Sequence, residues 1–423
     1  MLRTYRDTFA LLGPVLPVLS FLGRLPTAMC QLGSVLLVAE TSGSLATAGL
    51  AGGALAAGQT VAGPLLGRLA DRRGQRGPVL AASLANAVAV AALVLAAVAD
   101  APTGLLVPLA LLAGATVPQI GPLARTRSVA LARRAGADDR TVGAVLSFEG
   151  TLDEVSFVLG PALVGLAAAL AHPAAALLGA ALLLALCGTG FALHPTARAT
   201  ATGADATATR TGAAERTRLP GSAYALRVTM VLQGAMFGAS QAGITALTAG
   251  LGAPAQAGLV YAAMGVMSAA VGLSLAALPA RIGLTLRWRT ATTALVLLSL
   301  PLLAVDSLLG LYAVVTVLGA AYAPHLITVF ALTERAVPAG RLAESMAFLT
   351  SGIVGGQALA LALSGRLAEQ HGAPAAFAVA VGAAAGCAAL SWTVRTARTA
   401  GTGAPHGSLT PDDAAPSGSA ARG

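Results

Sequence analysis

The sequence contains no lysine, and all 26 of its basic residues are arginine. This absence excludes the phosphate-binding lysine of a Walker loop and the Schiff-base lysine of retinal proteins, so an ATP-driven pump is not expected. The sequence also lacks the patterns Gly-x-Ser-x-Gly and His-Glu-x-x-His, which are common signatures of hydrolytic enzymes. We therefore expect no enzymatic activity, no cofactor and no metal site.

Charged residues are scarce, at 10% of the 423 residues, against roughly 25% in soluble domains. Hydrophobic residues make up 56% of the chain, and the mean hydropathy is +0.78. The resulting total of about 237 apolar residues is close to the roughly 240 that twelve membrane spans of about 20 residues require. This composition predicts a multi-pass membrane protein, with the lipid bilayer as its surroundings.

Apolar runs along the chain predict twelve membrane helices. The predicted spans cover residues 9–39, 45–66, 78–99, 104–126, 142–170, 173–193, 224–248, 256–279, 290–305, 308–332, 343–365 and 374–394. The first run continues past Pro26, so we expect a retained span rather than a cleaved signal peptide.

Two segments without apolar periodicity divide the chain. One is rich in Thr, Ala, Gly and Arg, and the other in Gly, Ser, Pro and Ala. We predict an N-terminal six-helix bundle over residues 1–194, a flexible cytoplasmic linker over 195–222, a C-terminal six-helix bundle over 223–398 and a disordered cytoplasmic tail over 399–423.

The arginines indicate how the chain is oriented. With both termini in the cytoplasm, 24 of the 26 arginines fall in inward segments, Arg366 lies outside and Arg24 lies within a span. Such a bias is typical of membrane proteins with these loops on the cytoplasmic side. The net charge of +9 thus orients the chain and gives no reason to expect a nucleic-acid partner. We expect a monomer in a bacterial inner membrane.

The loop between the second and third predicted spans, residues 67–76, reads Gly-Arg-Leu-Ala-Asp-Arg-Arg-Gly-Gln-Arg. It resembles the signature G-x-L-a-D-r-x-G-r-[KR] of the major facilitator superfamily. The matching positions include Gly67, Asp71, Arg72, Gly74 and Arg76. The two glycines permit tight backbone turns, and the carboxylate can accept hydrogen bonds from a helix N-terminus or an arginine.

This resemblance implies an all-α membrane fold of twelve helices in two pseudo-symmetric six-helix bundles, with cytoplasmic termini. It also implies a secondary transporter that works by rocker-switch alternating access. In that mechanism, Asp71 would hold the two halves together on the inner side in one conformation.

The fifth predicted span contains Gly-Pro-Ala-Leu-Val-Gly, in which Gly160, Pro161 and Gly165 resemble the Gly-Pro-x-x-Gly-Gly element of drug:proton antiporters. The trailing glycine is displaced by one residue. A Gly-Pro kink at a helix crossing is the structural alternative. The family's fourth-span arginine motif is not visible, since Arg125 and Arg127 come only at the inner end of that span; we expect both to extend to the membrane interface.

Four charged residues fall within predicted spans: Arg24 in the first, and Glu149, Asp153 and Glu154 in the fifth. At 1.5 Å per residue, Arg24 and Asp153 lie roughly 22 and 17 Å from the predicted entries of their spans. Glu149 and Asp153 share a helix face, and Glu154 is turned about 100° away from Asp153. Since an unpaired charge costs roughly 2.5–3.5 kcal/mol, we predict that Arg24 pairs with Asp153 or Glu149.

The functional hypothesis for these charges is that one carboxylate binds and releases a coupling proton as the cavity changes its exposure. The structural alternative is a permanent pair that locks the first span to the fifth. A weak repeat between the halves places Gln233 opposite Arg24 and His325 opposite Gln119. The candidates for lining a substrate cavity are Gln119, Gln233, Gln241, Tyr261, Tyr322 and His325; for each, a hydrogen bond between helices is the alternative.

The function that these patterns favour is proton-coupled efflux of a small amphiphilic organic compound. The first alternative is proton-coupled uptake of an organic anion or metabolite, with Arg24 as its anchor. The second, from another class, is a non-transporting membrane receptor or scaffold.

Overall fold

The computed structural model describes residues 12–198, 219–278 and 282–394, and the regular elements in these ranges are all helical. The predictions for residues 1–11, for 199–218 of the linker and for the tail lie outside the described residues.

Twelve helical segments, here α1 to α12, run through the described part of the chain in the order of the predicted spans. The first half comprises α1 (Val15–Ser42), α2 (Leu45–Arg73), α3 (Arg76–Val98), α4a (Thr103–Ala115), α4b (Ile120–Arg134), α5 (Asp139–Leu170) and α6 (Pro173–Leu193). The second half comprises α7 (Gly221–Gly250), α8 (Ala257–Ser274), α9 (Leu284–Ser299), α10 (Leu308–Ala336), α11 (Leu342–His371) and α12 (Ala373–Thr393).

Local sequence accounts for several helix ends. Ser44 accepts a hydrogen bond from the Thr47 amide at the start of α2, and Asp138 accepts one from Thr141 at the start of α5. These are the residue types that satisfy the free amides of a first helical turn. Gly43 follows α1 with φ of 63°, a left-handed conformation that glycine adopts without strain.

Nine helical segments in the described part of the chain are long and apolar enough to cross a membrane. The segments outside this set are α2, α7 and α9, of which α9 has only 16 residues. Large apolar side chains cover outer surfaces, as at Leu170 and Leu309, which are 78% and 83% exposed. Such surfaces suit contact with lipid, whereas the total of twelve spans stays a prediction.

Each half has its own apolar core. One cluster of buried side chains is drawn from residues 25–181 and another from residues 236–384. Small residues bring helices of the second half into backbone contact, since a Cβ added at Gly234, Gly238 or Gly356 would overlap the main chain of α7 or α11. This close packing replaces the apolar driving force that is absent in lipid.

The fourth span is broken, although the sequence analysis predicted a continuous apolar span over 104–126. Pro118 and Pro122 cannot donate to the carbonyls four residues earlier, so two helical hydrogen bonds are lost. Gln119, between them, has φ of 54° and ψ of 40°, which is the left-handed region. Because non-helical backbone is tolerated at membrane depth only where protein or a cavity surrounds it, the break marks an interior position.

The two halves meet at the end of the molecule that contains the 67–76 loop and the end of α4b, here called the arginine-rich end. Apolar residues from both halves pack there, as Ala331 of α10 joins Val129 of α4b and Val142 of α5 in one buried cluster.

Candidate functional site

Arg24 of α1 and two acids of α5 form an ion-paired cluster. Arg24 Nη1 donates to Asp153 Oδ1 at 2.9 Å and to the backbone oxygen of Glu149 at 2.8 Å. Its Nη2 contacts the Glu149 carboxylate and donates to Ser20 Oγ at 2.8 Å. Arg24 and Glu149 are almost fully buried. The structure thus joins Arg24 to both acids that the sequence analysis offered as partners.

Arg125 of α4b is a further member of this cluster. It is completely buried, and its Nη2 contacts Asp153 Oδ2. Its guanidinium carbon also lies 3.7 Å from the centre of the Phe330 ring. Phe330 belongs to α10, so Arg125 connects an acid of the first half to an aromatic ring of the second.

The expectation that Arg125 and Arg127 extend to the membrane interface was wrong. Arg127 is also completely buried; its Nε donates to Gln75 Oε1 at 3.0 Å and its Nη1 to the Phe191 carbonyl at 2.8 Å. It stacks on the Phe191 ring at 3.7 Å. Both guanidinium groups stay inside because the bundle supplies acceptors and a ring face for each.

Asp153 is the acid on which the cluster converges. It lies between Arg24 and Arg125, while Glu149 pairs with Arg24 and also accepts from Ser128 Oγ at 2.8 Å. The Asp153 side chain is 15% exposed, against 2% for that of Glu149. Two arginines thus balance two carboxylates, and protonation of Asp153 would leave an excess of positive charge.

Glu154 lies apart from these ion pairs, as its 100° rotation from Asp153 predicts. It is buried between the halves, beside Ser268 of α8. Tyr261 and Tyr322 lie within electrostatic range of its carboxyl. In the described part of the chain, no arginine or histidine is close enough to form a salt bridge with it.

Asp71 joins the halves at the arginine-rich end. Its Oδ1 accepts from the Ala343 amide at 3.0 Å and its Oδ2 from the Glu344 amide at 2.8 Å, so the carboxylate caps the N-terminus of α11. Helix N-termini favour such negative charge. Burial raises the pKa of Asp71 to about 6, although the two amide donors act in the opposite direction.

The glycines and arginines of the same loop differ in their contacts. A Cβ added at Gly67 would lie 2.6 Å from the Ala343 oxygen, so this position permits α2 and α11 to touch. Gly74 has φ of 76°, where other residues are strained. Arg72 and Arg76 have exposed side chains.

Further polar contacts join the halves at or near this end. Arg133 lies 3.3 Å from Glu334, and Arg335 lies 3.0 Å from Asp139, with each pair crossing from one half to the other. Near the middle of α11, Ser351 Oγ donates to the backbone oxygen of Gln59 at 3.4 Å. The halves are therefore in contact from the arginine-rich end to about the middle of the bundle.

The Gly-Pro element of α5 lies against α1. A Cβ added at Gly160 would lie 2.7 Å from that of Ala28, four residues from Arg24. Pro161 lies inside α5, and Gly165 has open space around it. This packing agrees with the structural alternative of a close helix crossing.

Three of the predicted cavity residues form one hydrogen-bonded group inside the second half. His325 Nδ1 lies 2.5 Å from Gln233 Oε1, and its Nε2 lies 3.1 Å from Thr229 Oγ1. Gln233 Nε2 donates to the Tyr322 carbonyl at 3.2 Å. All four residues have no measurable exposure, so the contacts are those of the helix–helix alternative.

The other cavity candidates are placed differently. Gln241 accepts from Gln357 Nε2 at 3.4 Å, and Tyr261 is partly buried in α8. Gln119 is buried at the break in α4, and its Nε2 has no hydrogen-bond partner in the described residues. The interactions that the sequence analysis missed are those of Arg125 with Asp153 and Phe330; the prolines that break α4 were their only signal.

No group of three or more His, Cys, Asp or Glu residues suited to a metal ion occurs within 12–198, 219–278 and 282–394. The site consists of ion pairs, amides, hydroxyls and aromatic rings at the junction of two helical halves. This arrangement suits reversible binding and movement of the halves.

Known structures resemble this fold over nearly its whole length. The human organic anion transporter MFSD10 (TETRAN) has a TM-score of 0.69 at 17% identity, covering 89% of this chain and 99% of its own. A bacterial homologue of the iron transporter ferroportin, in an outward-facing state with soaked iron, has a TM-score of 0.66 at 16% identity, covering 90% and 99%. No curated protein sequence matches the chain.

The family model described as Major Facilitator Superfamily matches residues 8–341, which is well over half of the chain. The neighbouring structures support the same fold, with helices long enough for a multi-pass membrane protein. This chain belongs to the Major Facilitator Superfamily and is accordingly a membrane transporter rather than an enzyme.

Proposed function

We propose that this protein exports a small amphiphilic organic compound across a bacterial inner membrane in exchange for protons. The arginine-rich end faces the cytoplasm, and two six-helix halves rock about a central site. The observation that carries the proposal is the cluster of Arg24, Glu149, Asp153 and Arg125 with its connection to Phe330.

The coupling step follows from the charges in this cluster. A proton on Asp153 removes the negative charge that holds Arg24 and Arg125. Arg125 also stacks on Phe330 of the other half, so its release from Asp153 alters a contact between the halves. Proton binding at Asp153 therefore changes the relative stability of conformations in which the cytoplasmic ends are joined or separated.

The contacts between halves support an outward-facing assignment for this conformation. Asp71, Arg133 and Arg335 all join the halves at the arginine-rich end. A bacterial ferroportin homologue of similar fold is described as outward-facing. With the cytoplasmic side closed, the central site opens to the outside, where an exporter takes up its protons.

Uptake of an organic anion is the second candidate. The similar human transporter is described as an organic anion transporter. The Nε atoms of Arg24 and Arg125 are buried without hydrogen-bond partners in the described residues, so each could donate to an anion. Against this candidate, both Nη atoms of Arg24 are already held by Glu149, Asp153 and Ser20.

Flux into and out of proteoliposomes tests the proposal. The purified full-length protein is reconstituted, a pH gradient is imposed, and a panel of cationic, neutral and anionic amphiphiles is measured. Export predicts that accumulation of a compound follows the opposing proton gradient and collapses when a protonophore is added. Accumulation of anions alone, lost in Arg24→Ala, would instead support uptake, and no flux of any compound would support the receptor or scaffold.

A further inference from the structure

Glu154 lies where α5 of the first half packs against α8 of the second. About one turn before it, α5 approaches Gly272, and one turn after it, α5 approaches Gly265. Ser268 lies between these glycines in sequence and beside the Glu154 carboxyl. The side chain, 8% exposed, is thus enclosed between the two halves near the middle of both helices.

The charge of Glu154 is not balanced by a partner of its own. The charged groups close enough to act on it are Asp153 and Arg125, which have opposite signs and are paired with each other. An unpaired carboxylate at the bilayer centre costs roughly 2.5–3.5 kcal/mol. A bound cation or a proton would remove that cost.

Unpartnered hydroxyls and aromatic rings surround this carboxyl. The hydroxyls of Ser268, Ser240 and Tyr322 are buried to 1% exposure or less and lack hydrogen-bond partners in the described residues. Tyr322 stacks on Phe237 with ring centroids 4.5 Å apart. Because buried polar groups nearly always have partners, three unpartnered hydroxyls near one lone carboxylate indicate a position for a bound molecule.

We propose that Glu154 binds the positively charged group of an amphiphilic organic cation, which makes cations the substrate class of the transporter. Tyr261 and Tyr322 add aromatic rings that attract such a charge, and Phe237 extends the apolar wall. A bare divalent cation fits less well, since it prefers six or more oxygen ligands and Glu154 is the only carboxylate here outside an ion pair. This inference rests on the proposed function, of which it specifies the substrate.

Equilibrium binding to the purified full-length protein in detergent, at fixed pH, tests the inference without any proton gradient. The probes are phenyltrimethylammonium and tetraphenylphosphonium, a small and a large aromatic cation, together with tetraphenylborate, an anion of the same shape as the larger cation. We expect at least one cation to bind more tightly than the borate. Glu154→Gln, which keeps the shape but removes the charge, should weaken cation binding about tenfold or more, whereas Glu154→Asp should retain part of it.

Glu369→Gln is the matched control because Glu369 is an exposed carboxylate at the other end of α11 from Asp71. It should leave cation binding unchanged. Equal binding of cations to the wild-type protein and Glu154→Gln, preference for the borate, or no cation binding at all would overturn the inference. Fluorescence-detected gel filtration confirms that Glu154→Gln is folded.

The result separates the inference from the proposed function. Cation binding that depends on Glu154, without any flux driven by a pH gradient, would sustain this site and end the exporter proposal. Proton-driven flux of neutral compounds that persists in Glu154→Gln would do the reverse.

Discussion

Gly67 controls how closely the two halves approach on the cytoplasmic side. A Cβ at this position would lie 2.6 Å from the Ala343 oxygen and 2.8 Å from the Ala347 Cβ. These distances are below van der Waals contact, so Gly67→Ala forces α2 away from α11. Overpacking of this kind costs about 1–3 kcal/mol, which shifts the equilibrium away from the closed cytoplasmic side by roughly 5- to 150-fold.

Distances between spin labels measure this shift. Cysteines at Gly77 and Gly340, both exposed and with open space around them, place one label on each half once the native cysteines are replaced by alanine. The protein with Gly67 intact should show a short distance, and Gly67→Ala should add a longer one.

Gly53→Ala is the matched control for this measurement. Gly53 lies in the same helix, and a Cβ there meets no atom within 4 Å. The control should keep the short distance. Identical distance distributions in Gly67→Ala and the unsubstituted protein would refute the close-approach reasoning.

Three further predictions concern single positions. Phe330→Leu removes the ring under Arg125 and should reduce the closed population by roughly 2- to 30-fold in the same spin-label assay, since a cation–π contact contributes about 0.5–2 kcal/mol; Phe330→Tyr should not. The pKa of Asp71 is raised to about 6 in the closed state, so this state binds the proton more tightly; its population should rise as the pH falls from 7 to 5, and Asp71→Ala should abolish that dependence. Gln119→Gly should have a higher Tm than Gln119→Ala, because only glycine adopts the left-handed conformation there without strain; equal Tm values would contradict the assigned strain.

The sequence was sufficient to predict the intramembrane ion pair. Arg24, Glu149 and Asp153 occur at similar predicted depths, and the cost of isolated charges in lipid left pairing as the economical arrangement. The loop signature likewise led to Asp71, and the structure joins its carboxylate to the other half. In both cases, a strong local pattern and one physical constraint narrowed the choice.

The role of Arg125 could not be obtained in the same way. Its position near the end of an apolar run is typical of an arginine at the membrane interface, and its contacts depend on distant parts of the chain, α5 and α10. His325 and Gln233 show a related limit. Their spacing indicated polar groups at the membrane midplane, but only the packing of α7 on α10 shows that they bind each other.

Neutralising Asp153 tests the central claim, that this cluster couples protons to transport, most directly. The measurement compares Asp153→Asn with the wild-type protein in proteoliposomes, using flux driven by a pH gradient and gradient-free exchange of the same labelled compound. The account predicts that Asp153→Asn loses accumulation driven by the gradient but retains exchange, since the binding site persists without its proton-binding group. Accumulation at the wild-type level in Asp153→Asn would contradict it.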